Sequence, residues 1–502
     1  MLRVDENIDL YRYEIHSLVK AFFPSEDVKV CVDGDANGDK TRKAQPLVFL
    51  RIELKPQQIT LRFEENEKGQ GTFSGQLRPE MIRSLTSERE ADYTVKSKDT
   101  KSTLKSFLYQ TLCEYTGRVL PWGDLIGIRP TKIAMTKMEA GASSEETVEF
   151  LRSEHYVSEE KAELAVDIAK REKRILQNIH YGNGYSLYIG IPFCPTTCLY
   201  CSFPSFNIAK WRDRIDDYLN ALEREMEATA AIMKGKVLDT IYIGGGTPTS
   251  LEAWQLERLC SAVARYFDLD QVQEFTVEAG RPDSITRDKL EALRRHPITR
   301  ISVNPQTMKE ETLRIIGRRH SVQQVKDAFR MARECGFDNI NMDLILGLPG
   351  ENAADVAETV RQIKDLDPDS LTVHSLAIKR ASGLRRVIDE KGYPVLINTD
   401  ETMAIAGQGA ADLGMRPYYL YRQKNMSGNF ENVGYAREGR YGLYNILIME
   451  EKQSILALGA GAVTKRVYPD GRIERCDNAK EITVYLENLE EMLERKRRLF
   501  AD

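Results

Sequence analysis

No run in these 502 residues reaches the ~18 consecutive apolar residues that cross a bilayer as a helix. The opening stretch "MLRVDENIDLYRYE" also lacks the apolar segment of a secretory signal. The expected compartment is therefore the cytoplasm, where thiols stay reduced. Basic excess is missing too: 71 Lys and Arg face 76 Asp and Glu, for a net charge of -5, which argues against a general nucleic-acid binder. No long repeat and no low-complexity tract occurs. The eight cysteines do not form a disulfide framework. Cys31, Cys113, Cys260, Cys335 and Cys476 lie far apart and read as ordinary core or surface residues. What is present is a globular composition, long enough to bury a large core without staples. At roughly 150 residues per domain, two to four domains are expected.

From about residue 186 the chain alternates short β-rich runs with longer helical stretches. The runs are "SLYIGIPF" (186–193), "TIYIGGG" (240–246), "EFTVEAG" (274–280), "RISVNPQ" (300–306), "NINMDLILGLPG" (339–350) and "SLTVHSLAI" (370–378). Most are nearly continuously apolar, as strands buried on both faces should be. Helical periodicity fills 211–233, 251–267, 283–296, 321–336 and 351–366. Alternation of this kind gives parallel strands joined by right-handed crossovers. The fold class is α/β: six units make a partial (β/α)6 barrel, open on one side, over residues 181–385. An α+β domain is expected over 1–180, with strands at 28–33, 46–54 and 57–66, the last two as a hairpin, and helices at 100–117 and within 141–179. The stretch "GIRPTK" (127–132) reads as a polar loop. Residues 386–502 are expected to form an α+β extension that packs over the open side and covers substrate.

Unusual residues fall at the C-terminal ends of the predicted strands, where barrels of this architecture place their chemistry. The first strand runs into "CPTTCLYC" (194–201), with Cys194, Cys198 and Cys201. A structural zinc site wants four ligands, usually two pairs. No second C-x-x-C occurs, and no histidine lies in the loop. Three thiolates on one tight loop instead suit a [4Fe–4S] cube, which is more commonly held by four, and leave one iron open to a small molecule. The second strand ends in "GGGTPT" (244–249), which lacks the G-K-[ST] ending of a phosphate loop. Glycines there let the backbone approach a ligand closely. "LGAGAV" (458–463) lacks the third glycine of a dinucleotide fingerprint and reads as a turn.

The spacing C-x3-C-x2-C, with Tyr200 before the last cysteine, resembles radical S-adenosylmethionine enzymes. "LYIGIPFCPTTCLYCSF", "IYIGGGTPTSL", "VEAGRPD", "RISVNPQT", "LRIIGRRHS", "NMDLILGLPGE" and "LALGAGAV" occur in the order seen in oxygen-independent coproporphyrinogen III oxidases. The HemZ-type group is the best match, over roughly 170 to 465. The resemblance implies a [4Fe–4S] cluster on Cys194, Cys198 and Cys201. Its open iron takes the amino and carboxylate groups of S-adenosylmethionine, and reductive cleavage gives a 5′-deoxyadenosyl radical. The same resemblance places Tyr188, as a catalytic and cofactor residue, beside S-adenosylmethionine. It assigns Gly245 and Gly246 to the cofactor's methionine part, with Thr247 beside them; Glu278, at the end of the third strand, is expected to accept from the cofactor's hydroxyls or amine. Gln306, Arg318 and Asp343 match positions around a second S-adenosylmethionine, and Tyr200 and Ala377 join the cofactor set. One or two cofactor molecules, a tetrapyrrole substrate, an electron donor such as a flavodoxin or ferredoxin, and a monomeric state follow from it.

Two positions depart from the oxidases. Where they carry a histidine two residues after the tyrosine, this chain has Gly190; where they carry a fourth cysteine, it has Phe203. His374 is a substitute for that histidine, although a core histidine is the plainer account. A related haem-binding group shares the phenylalanine and carries H-N-x-x-Y; here the comparable "ENVGY" (431–435) begins with Glu431. Lys379, Arg380, Arg385 and Arg386 read either as a clamp for substrate carboxylates or as a solvated charge run. The expected reaction is oxidative decarboxylation of coproporphyrinogen III, with haem transfer and radical methylation as rivals.

Overall fold

The computed structural model describes residues 2–24, 26–33, 48–65, 84–92, 95–127, 129–201, 203–377, 383–391, 398–423, 426 and 429–501. The chain divides into two compact units, Met1–Val166 with Arg422–Glu431, and Asp167–Tyr421 with Asn432–Asp502. The sequence reading sets its boundaries at 180 and 385 instead.

The first unit holds β1 (Leu2–Glu6), α1 (Arg12–Phe22), β2 (Val28–Val32), β3 (Val48–Glu65), β4 (Ser84–Asp92), α2 (Lys98–Thr116), α3 (Pro130–Glu139), α4 (Ser144–His155) and the start of α5 (Glu159–Ile175). Its four strands lie in the order β2-β1-β3-β4. Ile15, Leu18, Val19 and Phe22, spaced three to four apart, give α1 one apolar face. That face joins Leu104, Leu108 and Leu112 of α2 in the core over Val4, Leu50 and Ile52. The Ser97 side chain caps α2 by accepting from Thr100 N at 3.0 Å. Gly117, at φ 68°, ends the helix in the left-handed conformation that suits glycine.

Two expectations fail in this unit. Residues 46–54 and 57–66 are not two strands of a hairpin: β3 is continuous from Val48 to Glu65, and its antiparallel partner is β4. Lys55-Pro56-Gln57 looks like a turn, but the register shifts between Pro56 and Gln58, and such a bulge tolerates a residue that cannot donate to the ladder. The stretch 127–132 is not all loop, because Pro130 opens α3 at a position where its missing N–H costs nothing; Ile128 lies outside the described residues.

The second unit begins with the rest of α5. It continues through β5 (Gly184–Ile191), β6 (Phe193–Cys194), β7 (Phe206–Asn207), α6 (Ile215–Ile232), β8 (Val237–Gly245), α7 (Ala253–Tyr266), β9 (Glu274–Gly280) and α8 (Arg287–Arg294). Next come β10 (Arg300–Val303), α9 (Glu310–Ile315), α10 (Val322–Glu334), β11 (Ile340–Leu346), α11 (Ala353–Leu366), β12 (Ser370–Ser375), α12 (Gly383–Lys391) and α13 (Asp400–Asp412). The chain ends with β13 (Arg416–Tyr421), β14 (Asn432–Ala436), α14 (Leu443–Glu450), β15 (Ser454–Leu458), β16 (Val463–Val467), β17 (Ile473–Asp477), α15 (Ile482–Glu487) and α16 (Leu489–Phe500).

Strands β5, β8, β9, β10, β11 and β12 lie side by side in chain order, each pair parallel. These are the six runs read from the sequence. The C-terminal residues, expected over the open side, enter the same sheet at both edges. β15 pairs parallel with β5 and carries β16 and β17; β14 pairs antiparallel with β12 and carries β13. The outermost strands β13 and β17 do not pair with each other, so the sheet stays open.

The "LGAGAV" segment is the turn from β15 into β16. Gly459, at φ 96°, leaves no room for a side chain: a Cβ there would sit 2.5 Å from Gly190 O. The turn is anchored by Glu225 of α6. Its carboxylate accepts from Gly459 N, Tyr485 Oη and Asn478 Nδ2, each at 2.7 Å, and from the fully buried Lys496 ammonium. Among the described residues, no helix is long and apolar enough to cross a membrane.

Candidate active site

The cysteine loop leaves β5 and is pinned at its start and end. Phe193 and Cys194 pair with Phe206 and Asn207 in a short parallel ladder. Inside the loop, Leu199 N donates to Ile316 O at 3.0 Å and Leu199 O accepts from Leu384 N at 2.8 Å. Cys201 N donates to Cys198 O at 3.1 Å. Thr247 Oγ1 lies 3.5 Å from Cys194 Sγ, and Arg281 Nη1 lies 3.7 Å from Cys198 Sγ. Burial pushes the Cys194 thiol up to about 11; the Thr247 hydroxyl pulls against this, and the Cys198 and Cys201 sulfurs add to the rise. Among the described residues, no three His, Cys, Asp or Glu side chains converge as ligands of one metal ion. Thiols spread along a loop suit a cube, in which each sulfur meets a different iron.

The glycine turn after β8 lies directly on this connection. Gly246 N donates to Ile191 O at 2.8 Å and Thr247 N to Phe193 O at 2.7 Å. A Cβ at Gly246 would fall 2.6 Å from Phe193 O, and one at Gly245, where φ is 107°, would fall 2.9 Å from the Tyr188 hydroxyl. Only glycine fits both places. Tyr188 of β5 stands opposite Tyr242 of β8 in register. Their rings stack with that of Tyr444, with centroids 6.3, 6.1 and 4.6 Å apart. The Tyr242 hydroxyl donates to Glu278 Oε1, and Gly245 N donates to Glu278 Oε2 at 3.3 Å. Burial pushes the Glu278 carboxyl up to about 7, against the hydrogen bond from Tyr242, with the Asp343 charge adding to the rise.

The remaining strand ends carry a buried polar wall. Arg318 donates from Nε and Nη2 to the Tyr200 hydroxyl at 3.2 and 3.0 Å, and from Nη1 to Asn304 O at 2.6 Å. Gln306 takes φ 69°, a strained setting of the kind found where a side chain is aimed for use. Its backbone bridges β11, donating to Asp343 O at 3.0 Å and accepting from Ile345 N at 2.9 Å. Ser302 Oγ in β10, and Asn304 Oδ1 and Gln306 Oε1 in the segment that follows it, are all buried without a hydrogen-bond partner. Burial works to raise the Asp343 carboxyl. His374, with Nε2 3.8 Å away, and the Asn341 amide at 2.7 Å outweigh it and hold the group below the usual carboxylate range. His374 is thus a partner of Asp343, and its Nδ1 is 3.1 Å from the Tyr421 hydroxyl. Ala377 follows β12 by two residues.

The structure thus gathers Tyr188, Gly245 and Glu278 into one cluster, joins Arg318 to Tyr200 through hydrogen bonds and Gln306 to Asp343 through the backbone, and sets Gly246 and Thr247 against the cysteine loop. Arg386 points elsewhere: its side chain is 76% exposed and lies 3.7 Å from Glu390. Lys379 and Arg380 lie outside the described residues, as does the side chain of Arg385. Sequence reasoning missed Tyr242, Tyr444, Asn304 and Arg281. Period-two alternation from Gln306 could have flagged Asn304, and "EAGRPD" contains Arg281; nothing local marks Tyr444.

Residues 188–363 match the Radical SAM superfamily. The chain is 40% identical over 405 residues to the oxygen-independent coproporphyrinogen-III oxidase-like protein HemZ of Bacillus subtilis, covering 80% of this chain and 81% of that one. The chain belongs to the HemZ-type Radical SAM proteins. The haem chaperone HemW of Escherichia coli is 32% identical over 290 residues, covering 58% of this chain and 72% of HemW. The fold is shared with the Escherichia coli coproporphyrinogen III oxidase HemN, at TM-score 0.50 and 23% identity over 64% of this chain and 73% of that one. Radical SAM membership implies a [4Fe–4S] cluster and S-adenosylmethionine, and the residues fit both. Three thiols share one pinned loop, a glycine turn excludes side chains beside it, and unpartnered acceptors wait on the adjoining wall.

Proposed function

We propose that this HemZ-type protein carries out oxygen-independent oxidative decarboxylation of coproporphyrinogen III, converting two propionate side chains to vinyl groups and yielding protoporphyrinogen IX. When bound, the cluster and S-adenosylmethionine supply a 5′-deoxyadenosyl radical able to remove a hydrogen atom from each propionate. Cys194, Cys198 and Cys201 hold the cluster. Tyr188, Gly245, Gly246, Thr247 and Glu278 bind one S-adenosylmethionine, Gln306, Arg318 and Asp343 line a second place of the same chemistry, and Tyr200 and Ala377 complete the cofactor set. The protein positions these groups and excludes water, while the cofactor carries the radical chemistry. A flavodoxin- or ferredoxin-type donor, a cytoplasmic setting, a monomeric state and a C-terminal segment that covers substrate complete the reading.

The observation that favours this reading over haem transfer is Glu431. It stands where the related haem-binding group carries histidine, and its carboxylate is spent inside its own unit. Oε2 accepts from Trp122 Nε1 at 2.7 Å and Oε1 from Lys161 Nζ at 2.9 Å. A carboxylate engaged by a buried ammonium and an indole N–H is held in place by its own unit, and glutamate is a poor haem ligand to begin with. The haem-transfer reading keeps one observation in its favour. A Cβ on Gly190 would lie 3.2 Å from Leu458 O, so the position that carries histidine in the oxidases is cramped here.

An anaerobic assay separates the readings. Reconstituted protein is incubated with S-adenosylmethionine, a strong reductant and coproporphyrinogen III, and porphyrins and nucleosides are read by mass spectrometry. Protoporphyrin and 5′-deoxyadenosine together, both lost in Cys198→Ala, support the decarboxylase. Stoichiometric haem uptake without turnover supports haem transfer, and a methylated product supports a methyltransferase.

A further inference from the structure

Arg281 takes no part in the reading above, yet it is built into the cysteine loop. Gly280, at φ 66°, ends β9 and turns the chain so that the next residue reaches that loop. The Arg281 side chain is 3% exposed. Its Nη1 donates to Thr196 O at 3.0 Å and Thr196 Oγ1 at 2.7 Å, and lies 3.7 Å from Cys198 Sγ. The other edge of the guanidinium is closed by Asp283, with Nε to Oδ1 at 3.0 Å and Nη2 to Oδ2 at 2.7 Å. The guanidinium keeps its charge, as arginine does in proteins, and Asp283 pairs with it. A buried ion pair is a poor way to stabilise a fold, and apolar side chains of the same volume often do better. Anchoring the loop therefore does not by itself explain why a charge sits here.

We propose that Arg281 tunes the reduction potential of the cluster by placing a positive charge and a hydrogen-bond donor against the Cys198 sulfur. The proposal rests on the cluster assignment above. Reduction adds one electron to the cluster. A cation and an N–H donor at a ligating sulfur favour the more negative, reduced form and raise the potential. Asp283 lies on the far side of the guanidinium and offsets part of that field. The two members of the ion pair therefore act on the cluster with opposite signs. Arg281 is a positioning and tuning residue; it touches a ligand, not the reacting carbon.

The test uses the full chain, reconstituted anaerobically, as wild type, Arg281→Gln, Arg281→Lys and Asp283→Asn. Iron and acid-labile sulfide are measured first. A wild type that takes up no cluster overturns the cluster assignment itself, separately from this proposal. The midpoint potential is then read by titration monitored by electron paramagnetic resonance, without S-adenosylmethionine. Arg281→Gln is expected to shift to more negative potential, Arg281→Lys by less, and Asp283→Asn to more positive potential. Should Arg281→Gln lose the cluster, the sign of the Asp283→Asn shift decides. An unchanged potential in Arg281→Gln, or shifts of the same sign in Arg281→Gln and Asp283→Asn, overturns the proposal, because a loosened loop has no reason to respond to the sign of the removed charge.

Discussion

Replacing Glu278 by glutamine should strengthen the fold and weaken the site, with a pH dependence that identifies the cause. In the folded protein the Glu278 carboxyl is raised from 4.5 to about 7, chiefly by burial. The native state therefore holds a proton that the unfolded chain has already released between these values. Stability falls as pH rises through that window, and the full cost is present above it. At ~1.4 kcal/mol per pH unit, the cost at pH 8 is about 3 kcal/mol. Glutamine is neutral throughout and its oxygen still accepts from Tyr242, but the second acceptor, for Gly245 N, is lost. That loss is worth about 1 kcal/mol. Glu278→Gln should thus be more stable than wild type by about 2 kcal/mol at pH 8, an advantage that shrinks to about zero at pH 5, where the Glu278 cost is only about 1 kcal/mol. Urea unfolding of cofactor-free protein at pH 5, 6, 7 and 8 measures the difference. S-adenosylmethionine should bind roughly 10- to 100-fold more weakly, because a charge-assisted hydrogen bond is gone. A stability difference that is flat with pH, or one in which the wild type gains as pH rises, would refute the reasoning.

Three further outcomes are expected. Cys198→Ala should lose most of its iron and sulfide, whereas Cys260→Ala, buried in α7 away from the loop, should keep them; chemical iron and sulfide analysis checks both. Lys496→Met leaves the buried Glu225 carboxylate without its cation and should cost about 3–5 kcal/mol in denaturant unfolding. Gly434→Ala places a Cβ 1.9 Å from the Tyr419 ring across the β13–β14 pair, and should cost about 1–3 kcal/mol, read as a lower thermal midpoint.

Much of the architecture was legible because its signals are local. Six strands buried on both faces must be apolar runs, and the helices between them must carry one apolar face, so both patterns are visible without the fold. The cysteine loop is legible for the same reason, since its three cysteines come from eight consecutive residues. What escaped depends on distant partners. Lys55-Pro56-Gln57 reads as a turn unless β4 is known to lie beside it. Glu431 reads as a replaced haem ligand until Trp122 and Lys161, 309 and 270 residues away, claim its oxygens. His374 gives no sign of Asp343, and Tyr444 sits in α14, a helix with no marked start. Arg281 was in plain view within "EAGRPD", but a lone arginine after a strand carries no meaning until Thr196 and Cys198 are seen against it.

The strand that delivers the cysteine loop has a consequence for the order in which the molecule can be made. One side of β5 pairs with β8, which follows soon in the chain; the other side pairs with β15, which emerges from the ribosome much later. Until Ser454–Leu458 appears, the apolar strand that leads into the cysteine loop has an open edge. Such edges invite pairing with other chains. The late arrival of β15 therefore sets a time before which the nascent protein depends on protection from its surroundings, and a chain interrupted before that strand would leave the edge open for good.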